Sequence, residues 1–240
     1  MIYYQWSRGH TQLFWDFDQN TRQSKLNDLF VKYFGERSHG FFVEIGANNG
    51  LDCGVTTPLA DLGWTGHFIE PDPDMARVCQ NNHANNPNIS THVLAISNEN
   101  GEGTLHMAGM GSTISEQYFQ TAKTIGWSGL SDNSGKVTVT KSTLEHFLQT
   151  INAPSNYDLL SIDTEGSELD ILEAFSGHWD QWRPKMIVIE LTDEHPDFRN
   201  RPDWVERELK TRKLILDAGY ELEFKDEINS VYVYNEIKSL

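Results

Sequence analysis

Residues 41–50 read FFVEIGANNG, an apolar run of aromatic and branched residues that ends in a glycine-containing turn. Such a run is typical of a buried strand, and Gly46 and Gly50 predict a tight connection from this strand to a helix. The missing side chains let backbone N–H groups approach a ligand closely. Asn48 stands where the dinucleotide fingerprint has its second glycine, so the turn alone leaves the ligand open.

An acidic residue at the end of the next predicted strand restricts the class of ligand. Residues 66–73 read GHFIEPDP. Glu70 therefore lies at the tip of the next predicted strand, about 20 residues after Gly50, where an acid accepts hydrogen bonds from both hydroxyls of a ribose. Together the turn and Glu70 predict a nucleoside-binding site.

The first strand carries an acid, Glu44, beside the predicted ligand. Next to the pyrophosphate of a dinucleotide this carboxylate would be repulsive, whereas in a site for S-adenosylmethionine it faces a cationic sulfonium and an amino group. The charge therefore favours the methyl donor. Two alternatives stay open: a nicotinamide-dependent oxidoreductase built on the same first unit, and a binding module that keeps the fold without turnover.

The charge balance restricts the partners. Among 240 residues, 35 Asp and Glu stand against 19 Lys and Arg, which gives a formal net charge of −16. So acidic a chain is a poor partner for nucleic acid or an anionic membrane surface. No apolar run approaches the length of a membrane span, and Cys53 and Cys79 are too few for a disulfide framework. We expect a cytoplasmic protein without nucleic-acid partners, and the sequence leaves its oligomeric state open.

The order of patterns predicts one doubly wound α/β domain over residues 41–240. Apolar runs of strand type alternate with helical patterns, among them a helix over 51–62, and this alternation is typical of a parallel sheet. The runs at 220–225 and 230–235 are close enough to require antiparallel pairing, so a hairpin closes the sheet. Residues 1–40 are predicted to be a lead-in with an amphipathic helix, and residues 101–136 a lid-like insertion.

Successive blocks of the sequence resemble those of the FkbM-type methyltransferases. They are FVEIGANNG (42–50), LADLGWTGHFIEPDP (59–73), VLAISNENGEGTLHM (93–107), GMGSTIS (109–115), YDLLSIDTEGSELDIL (157–172) and KMIVIELT (185–192). The resemblance implies a class I, Rossmann-like, seven-stranded sheet with its last strand antiparallel. It also implies an S-adenosyl-L-methionine-dependent enzyme that methylates a hydroxyl of a sugar, a glycan or a small metabolite.

Carried over position by position, the resemblance implies a cofactor site. Residues after the first strand would frame the methionine end, Glu70 would hold the ribose, and residues 95–97 would border the adenine. The implied cofactor-binding residues are Glu44, Gly46, Ala47, Asn48, Gly50, Thr57, Glu70, Pro71, Ala95, Ile96, Ser97 and Asp163. One block departs from the family, because Val55 and Thr56 stand where relatives often have Ser-Asn, with Thr57 retained.

Acids on later strands predict the catalytic residues. Asp163 and Glu165 follow a strand at the carboxyl edge of the sheet, where open α/β folds place their ligands. Glu190 ends the strand KMIVIE, and His195 follows on the same edge as a candidate general base. A solvated strand end and a surface histidine fit these last two residues equally well. Glu168 instead suits a helix cap.

Two routes would remove the proton of the acceptor hydroxyl. In a metal-free route, Asp163, Glu165 or His195 acts as the base. In the other route, Asp163 and Glu190 hold a divalent cation, with further ligands from Thr192, Asp193, water or substrate. Two protein carboxylates are few for such a site, so we predict catalysis without a metal.

Overall fold

The computed structural model describes residues 17–35, 37–52, 54–126, 130–131 and 135–235, so residues 1–16 of the predicted lead-in lie outside it. The helices are α1 (Phe17–Phe34), α2 (Thr57–Asp61), α3 (Pro73–Asn82), α4 (Glu116–Ile125), α5 (Leu144–Thr150), α6 (Glu168–Phe175) and α7 (Pro202–Asp217). The strands are β1 (Phe41–Ile45), β2 (Thr65–Ile69), β3 (Ile89–His92), β4 (Ala95–Ile96), β5 (Gly101–His106), β6 (Lys136–Ser142), β7 (Leu159–Ile162), β8 (Met186–Glu190), β9 (Tyr220–Lys225) and β10 (Asn229–Tyr234).

The main sheet has seven strands in the order β3-β2-β1-β7-β8-β10-β9. The strands from β3 to β8 pair parallel, whereas β10 pairs antiparallel with both β8 and β9. The predicted doubly wound fold with an antiparallel last strand is therefore confirmed. The chain order reverses on either side of β1, and this is the position where open α/β sheets bind ligands beyond the carboxyl ends of their strands.

Apolar side chains on both faces hold the sheet in place. Alternate residues of one strand enter different clusters: Val43 and Ile45 pack on one side, and Phe42 on the other. A sheet covered on both faces needs near-continuous apolar strands, as the runs in β1, β7 and β8 provide. Leu29 and Phe30 of α1 join the cluster of Phe42, so the described part of the lead-in packs on the domain.

The helix predicted over 51–62 is shorter than expected. Instead, the side-chain oxygen of Asn49 accepts hydrogen bonds from the backbone N–H groups of Leu51 and Asp52, at 3.0 and 2.8 Å. This local turn competes with helix formation, and α2 begins only at Thr57, with Pro58 in its first turn. The prediction was wrong by about one and a half turns because side-chain bonding overrode the apolar pattern.

The predicted insertion over 101–136 contains regular structure. Strand β5 pairs antiparallel with β6, and β4 pairs with the other edge of β6 to form a small second sheet. Between β5 and β6 lies α4, where the Ser115 side chain caps the N–H of Tyr118 and Gly126 ends the helix with φ +72°. The lid-like motion of this insertion stays a prediction.

In the described ranges, no helix is long and apolar enough to cross a bilayer.

We expect Gly66→Ala to destabilise the fold by about 1–3 kcal/mol, because added bulk in a packed core forces neighbours to move. A Cβ at Gly66 would lie 2.0 Å from Cζ of Phe42, whose ring is fully buried. Equilibrium unfolding in urea measures the loss. The control is Gly177→Ala, because nothing lies within 4 Å of that Cβ position. Equal stability of the two variants would show that Phe42 does not need the space.

Candidate active site

One cavity of about 280 Å³ lies at the carboxyl edge of the main sheet. Residues at or just beyond the carboxyl ends of β1, β2, β7 and β8 line it, together with β4, part of the insertion and the turn before β10. The predicted site residues that line it are Glu44, Gly46, Ala47, Asn48, Glu70, Pro71, Ala95, Ile96, Asp163, Glu165 and Glu190. Site residues that were predicted in separate blocks of the sequence therefore line the same cavity.

Gly46 lies at the cavity between the ends of β2 and β7, where the backbones approach closely. Its N–H and that of Ala47 donate to the carbonyl of Ile69, at 2.9 and 3.0 Å. The backbone of Gly46 has φ +84°, and a Cβ there would lie 1.6 Å from the carbonyl oxygen of Asp163. Only glycine fits so close an approach. The turn after β1 is thereby held between the ends of β2 and β7.

Glu44 braces the segment that leads into α2. Its carboxylate accepts hydrogen bonds from the backbone N–H groups of Val55 (3.1 Å) and Thr56 (3.0 Å), and from the Thr56 hydroxyl. Burial raises the pKa of Glu44 to about 7, against the opposing effect of these bonds. Two of the three donors are backbone groups. The departure from Ser-Asn at Val55 and Thr56 therefore preserves these two backbone bonds.

Glu70 has the geometry expected of a ribose-binding acid. One carboxylate oxygen accepts from the N–H of Asn48 and the other from the N–H of Asp72, both at 2.8 Å. Each oxygen of a carboxylate has about two acceptor positions, so capacity remains on both oxygens for a pair of vicinal hydroxyls. Burial raises the pKa of Glu70 to about 7.

An apolar slot adjoins Glu70. Ile69, Pro71, Met75, Leu94, Ala95 and Ile96 line it, which suits a flat purine. Ser97, predicted to border the adenine, instead lines a polar groove next to the cavity, and its N–H donates to the carbonyl of Ser142 at 2.9 Å. Successive residues of an extended chain face opposite sides, so Ile96 at the end of β4 lines the cavity whereas Ser97 lines the groove.

Gly50 and Thr57 stabilise the turn after β1 from the side away from the cavity. The Thr57 hydroxyl donates to the carbonyl of Gly50 at 3.0 Å, and Nε2 of His83 contacts the same carbonyl at 2.8 Å. A Cβ at Gly50, which has φ +73°, would lie 2.6 Å from Sγ of Cys79. Neither Gly50 nor Thr57 is among the described residues that line the cavity.

Three carboxylates meet at the other end of the cavity. Asp163, Glu165 and Glu190 each have a carboxylate oxygen within 4.8 Å of the others, so they are the described residues that offer ligands to a cation. Burial, and then the charge of Asp163, raise the pKa of both Glu165 and Glu190 well above the usual range. Like charges so close together disfavour full ionisation, so the cluster takes up a proton more readily than isolated carboxylates do.

Glu168 serves the turn that carries two of these acids. Its carboxylate accepts from the N–H and the hydroxyl of Thr164, at 2.8 and 2.7 Å. Glu168 therefore braces the turn before α6, and the N-cap residue Ser167 makes no side-chain cap hydrogen bond, so the predicted capping role stays a prediction.

His195 lies apart from the acids. Its Nδ1 accepts from the N–H of Asp197 at 3.3 Å, its ring packs on Phe198, and it is not among the described residues that line the cavity.

Several residues at the cavity and its acidic end carry no signal in the sequence. Ile228 and Asn229 reach the cavity from the turn before β10, and no motif marks them. Tyr118 reaches the acids from α4, where its hydroxyl donates to Glu165. The insertion residues 109–112 and Ile114 line the cavity, and their block, GMGSTIS, did resemble the family.

The strand order, the ligand edge and the apolar slot beside Glu70 define a class I methyltransferase fold. The family model for the methyltransferase FkbM domain matches residues 44–222, more than half of the chain. The chain therefore belongs to the FkbM methyltransferase family, and the predicted family is confirmed. No curated protein matches the sequence significantly.

Solved structures show the same fold at low identity. A protein assigned as a caffeoyl-CoA O-methyltransferase from Staphylococcus aureus has a TM-score of 0.53 at 11% identity, over 90% of this chain and 83% of that one. An O-methyltransferase from Bacillus cereus in complex with SAH has a TM-score of 0.50 at 14% identity, over 89% of this chain and 80% of that one.

The chain is an S-adenosyl-L-methionine-dependent methyltransferase by family and fold. The residues present fit this cofactor. Glu70 retains acceptor positions for two hydroxyls, apolar residues line the same cavity, and the acids Glu44 and Asp163 also line it. The predicted cofactor is therefore confirmed at this level.

We expect Glu70 to make the ligand-free protein less stable as the pH rises. Its folded pKa of about 7 exceeds the ordinary value of 4.5. Its contribution to stability is fully present below pH ~4.5 and is lost as the pH rises through ~7, at a cost of about 3 kcal/mol. Urea unfolding at pH 5 and pH 8 measures this loss. The control is Glu70→Gln, in which that part of the loss disappears. Parallel pH profiles for wild type and variant would contradict the assignment.

Proposed function

We propose that this methyltransferase transfers a methyl group to a hydroxyl oxygen of a sugar, a glycan or a small polar metabolite. The observation that carries the proposal is that one cavity joins Glu70, suited to a ribose diol, to the acids Asp163, Glu165 and Glu190 at its other end. A hydroxyl is a poor nucleophile until a base accepts its proton, and these acids supply that base beside the donor site.

On the donor side, each residue has a defined task. Glu70 accepts hydrogen bonds from the ribose hydroxyls, and the slot that includes Met75 and Ile96 holds the purine. Glu44 and Asp163 face the positive end of the donor. When bound, the sulfonium supplies an electrophilic methyl group. The turn after β1 is fixed by its hydrogen bonds to Ile69 and Glu70, and its backbone holds the donor in one orientation, which in-line transfer requires.

On the acceptor side, we assign the base to Glu165. Burial and the charge of Asp163 raise the pKa of Glu190, and we assign a proton to that carboxyl. Glu165 receives the Tyr118 hydroxyl on Oε2, and we assign Oε1 to the acceptor hydroxyl. Burial and the charge of Asp163 raise the pKa of Glu165, which makes its carboxylate a stronger proton acceptor than an ordinary glutamate, while the Tyr118 hydrogen bond favours its ionised form. A proton on Glu190 lowers the charge of the acidic cluster, and we therefore propose the route without a metal.

The charge of the whole chain guides the choice of acceptor. With a net charge of −16 and an acidic cluster at the reacting end, an uncharged polyol meets less repulsion than a polyphosphate acceptor. Assignment to a methyltransferase family removes the support for a nicotinamide-dependent oxidoreductase. A binding module without turnover would bind the donor and form no product, so a mass-spectrometric search for methylated product separates it from an enzyme.

We expect calorimetry to show tighter binding of S-adenosylmethionine and S-adenosylhomocysteine than of NAD. Glu70→Ala should weaken binding of both by about 1.5–3 kcal/mol, the usual loss for hydrogen bonds to a charged acceptor. Glu206→Ala is the matched control, because Glu206 is an exposed acid on α7 that pairs only with Lys210 in the described contacts. Tighter binding of NAD than of S-adenosylmethionine would contradict the assignment of S-adenosylmethionine as the cofactor.

We expect methyl transfer to survive exhaustive EDTA treatment. Labelled donor is incubated with a panel of alcohols, monosaccharides and oligosaccharides, and products are read by mass spectrometry. Glu165→Gln should lower kcat by about 100-fold or more, the usual worth of a general base, with smaller losses for Asp163→Asn and Glu190→Gln. His195→Ala serves as the comparison outside the cavity. Loss of activity on chelation, restored by magnesium or manganese, would establish the cation route instead.

A further inference from the structure

The insertion between β5 and β6 sends one polar side chain into the acidic end of the cavity. Tyr118 of α4 is 3% exposed, and its hydroxyl donates a hydrogen bond to Oε2 of Glu165. This bond favours the ionised carboxylate and opposes the burial that raises the pKa of Glu165. A buried hydroxyl fixed on a carboxylate orients it as well as stabilises its charge.

The insertion also fixes the backbone that carries Glu165. The hydroxyl of Thr113 donates to the carbonyl of Glu165 at 2.7 Å. Glu165 itself has φ +55°, a left-handed conformation that a non-glycine residue keeps only when its surroundings enforce it. At Gly166, which has φ +100°, a Cβ would lie 2.6 Å from Cβ of Tyr118. The turn and α4 therefore pack against each other without space for a side chain.

Tyr118 is in turn held by two aromatic rings from the segment that follows β8. Its ring stacks on Phe198 with centroids 6.1 Å apart and lies 5.7 Å from the ring of Trp204. Nε1 of Trp204 donates to the hydroxyl of Thr192 at 2.9 Å, just beyond β8. With its ring enclosed by these contacts, the phenol has a defined direction before any acceptor binds.

The same insertion lines the cavity with Met110, Ser112 and Ile114. From these contacts we propose that Tyr118 is a positioning residue, which holds the carboxylate of Glu165 toward the acceptor hydroxyl. The insertion then completes the active site as well as lining it. This inference rests on the proposed function, in which Glu165 accepts the acceptor proton.

Tyr118→Phe tests the role because it removes only the hydroxyl. We expect kcat for the best acceptor of the panel to fall about 10- to 100-fold, the effect of a misplaced reacting group. The Kd of S-adenosylmethionine should change less than about twofold, since the donor site is untouched. The matched control is Tyr157→Phe, because the Tyr157 hydroxyl is buried without a hydrogen-bond partner among the described residues. Equal losses of kcat in the two variants would overturn the proposal.

A double-mutant cycle on urea unfolding tests the same contact without turnover. Tyr118→Phe should destabilise the wild-type background more than the Glu165→Ala background, because the hydroxyl acts through that carboxylate. Equal destabilisation in both backgrounds overturns the proposal. If the wild-type chain methylates no hydroxyl while the two changes remain non-additive, the proposed function fails and the contact between Tyr118 and Glu165 stands.

Discussion

The site depends on the close approach of the turn after β1 to the end of β7. At Gly46 the backbone lies so near the carbonyl of Asp163 that no side chain fits, and the same turn donates two hydrogen bonds to Ile69 of β2. Three adjacent strand ends are thereby locked together. The donor end and the acidic end of the cavity keep a fixed separation because both are anchored to this one contact.

Buried carboxylates are costly, and this domain meets the cost in two different ways. Glu44 and Glu70 are each held by backbone N–H groups, which satisfy a carboxylate without adding a countercharge. Asp163, Glu165 and Glu190 instead crowd together, and their mutual repulsion adds to burial in raising pKa values. The first arrangement suits fixed hydrogen-bond acceptors for a ligand, and the second suits exchange of a proton.

The insertion gives the fold its particular active site. The seven-stranded sheet alone would leave the acidic end open, whereas α4 and the residues before it bring Thr113 and Tyr118 onto Glu165. The contacts of Tyr118 with Phe198 and Trp204 connect this insertion to the region after β8. The acceptor end of the cavity is therefore built by three segments that are distant in the sequence.

The sequence by itself determined that strands and helices alternate in a parallel sheet, which acids lie at the donor site, and which family the chain belongs to. This is because continuous apolar runs, strand-tip acids and glycine turns are local patterns with local physical causes. It did not determine the start of α2, where an Asn49 side chain redirected the backbone, or the side on which Ser97 lies. Only the tertiary structure placed Glu190 against Asp163, His195 outside the cavity, and Tyr118 and Asn229 at the site. These placements follow from packing between distant segments, for which no single stretch of sequence carries a signal.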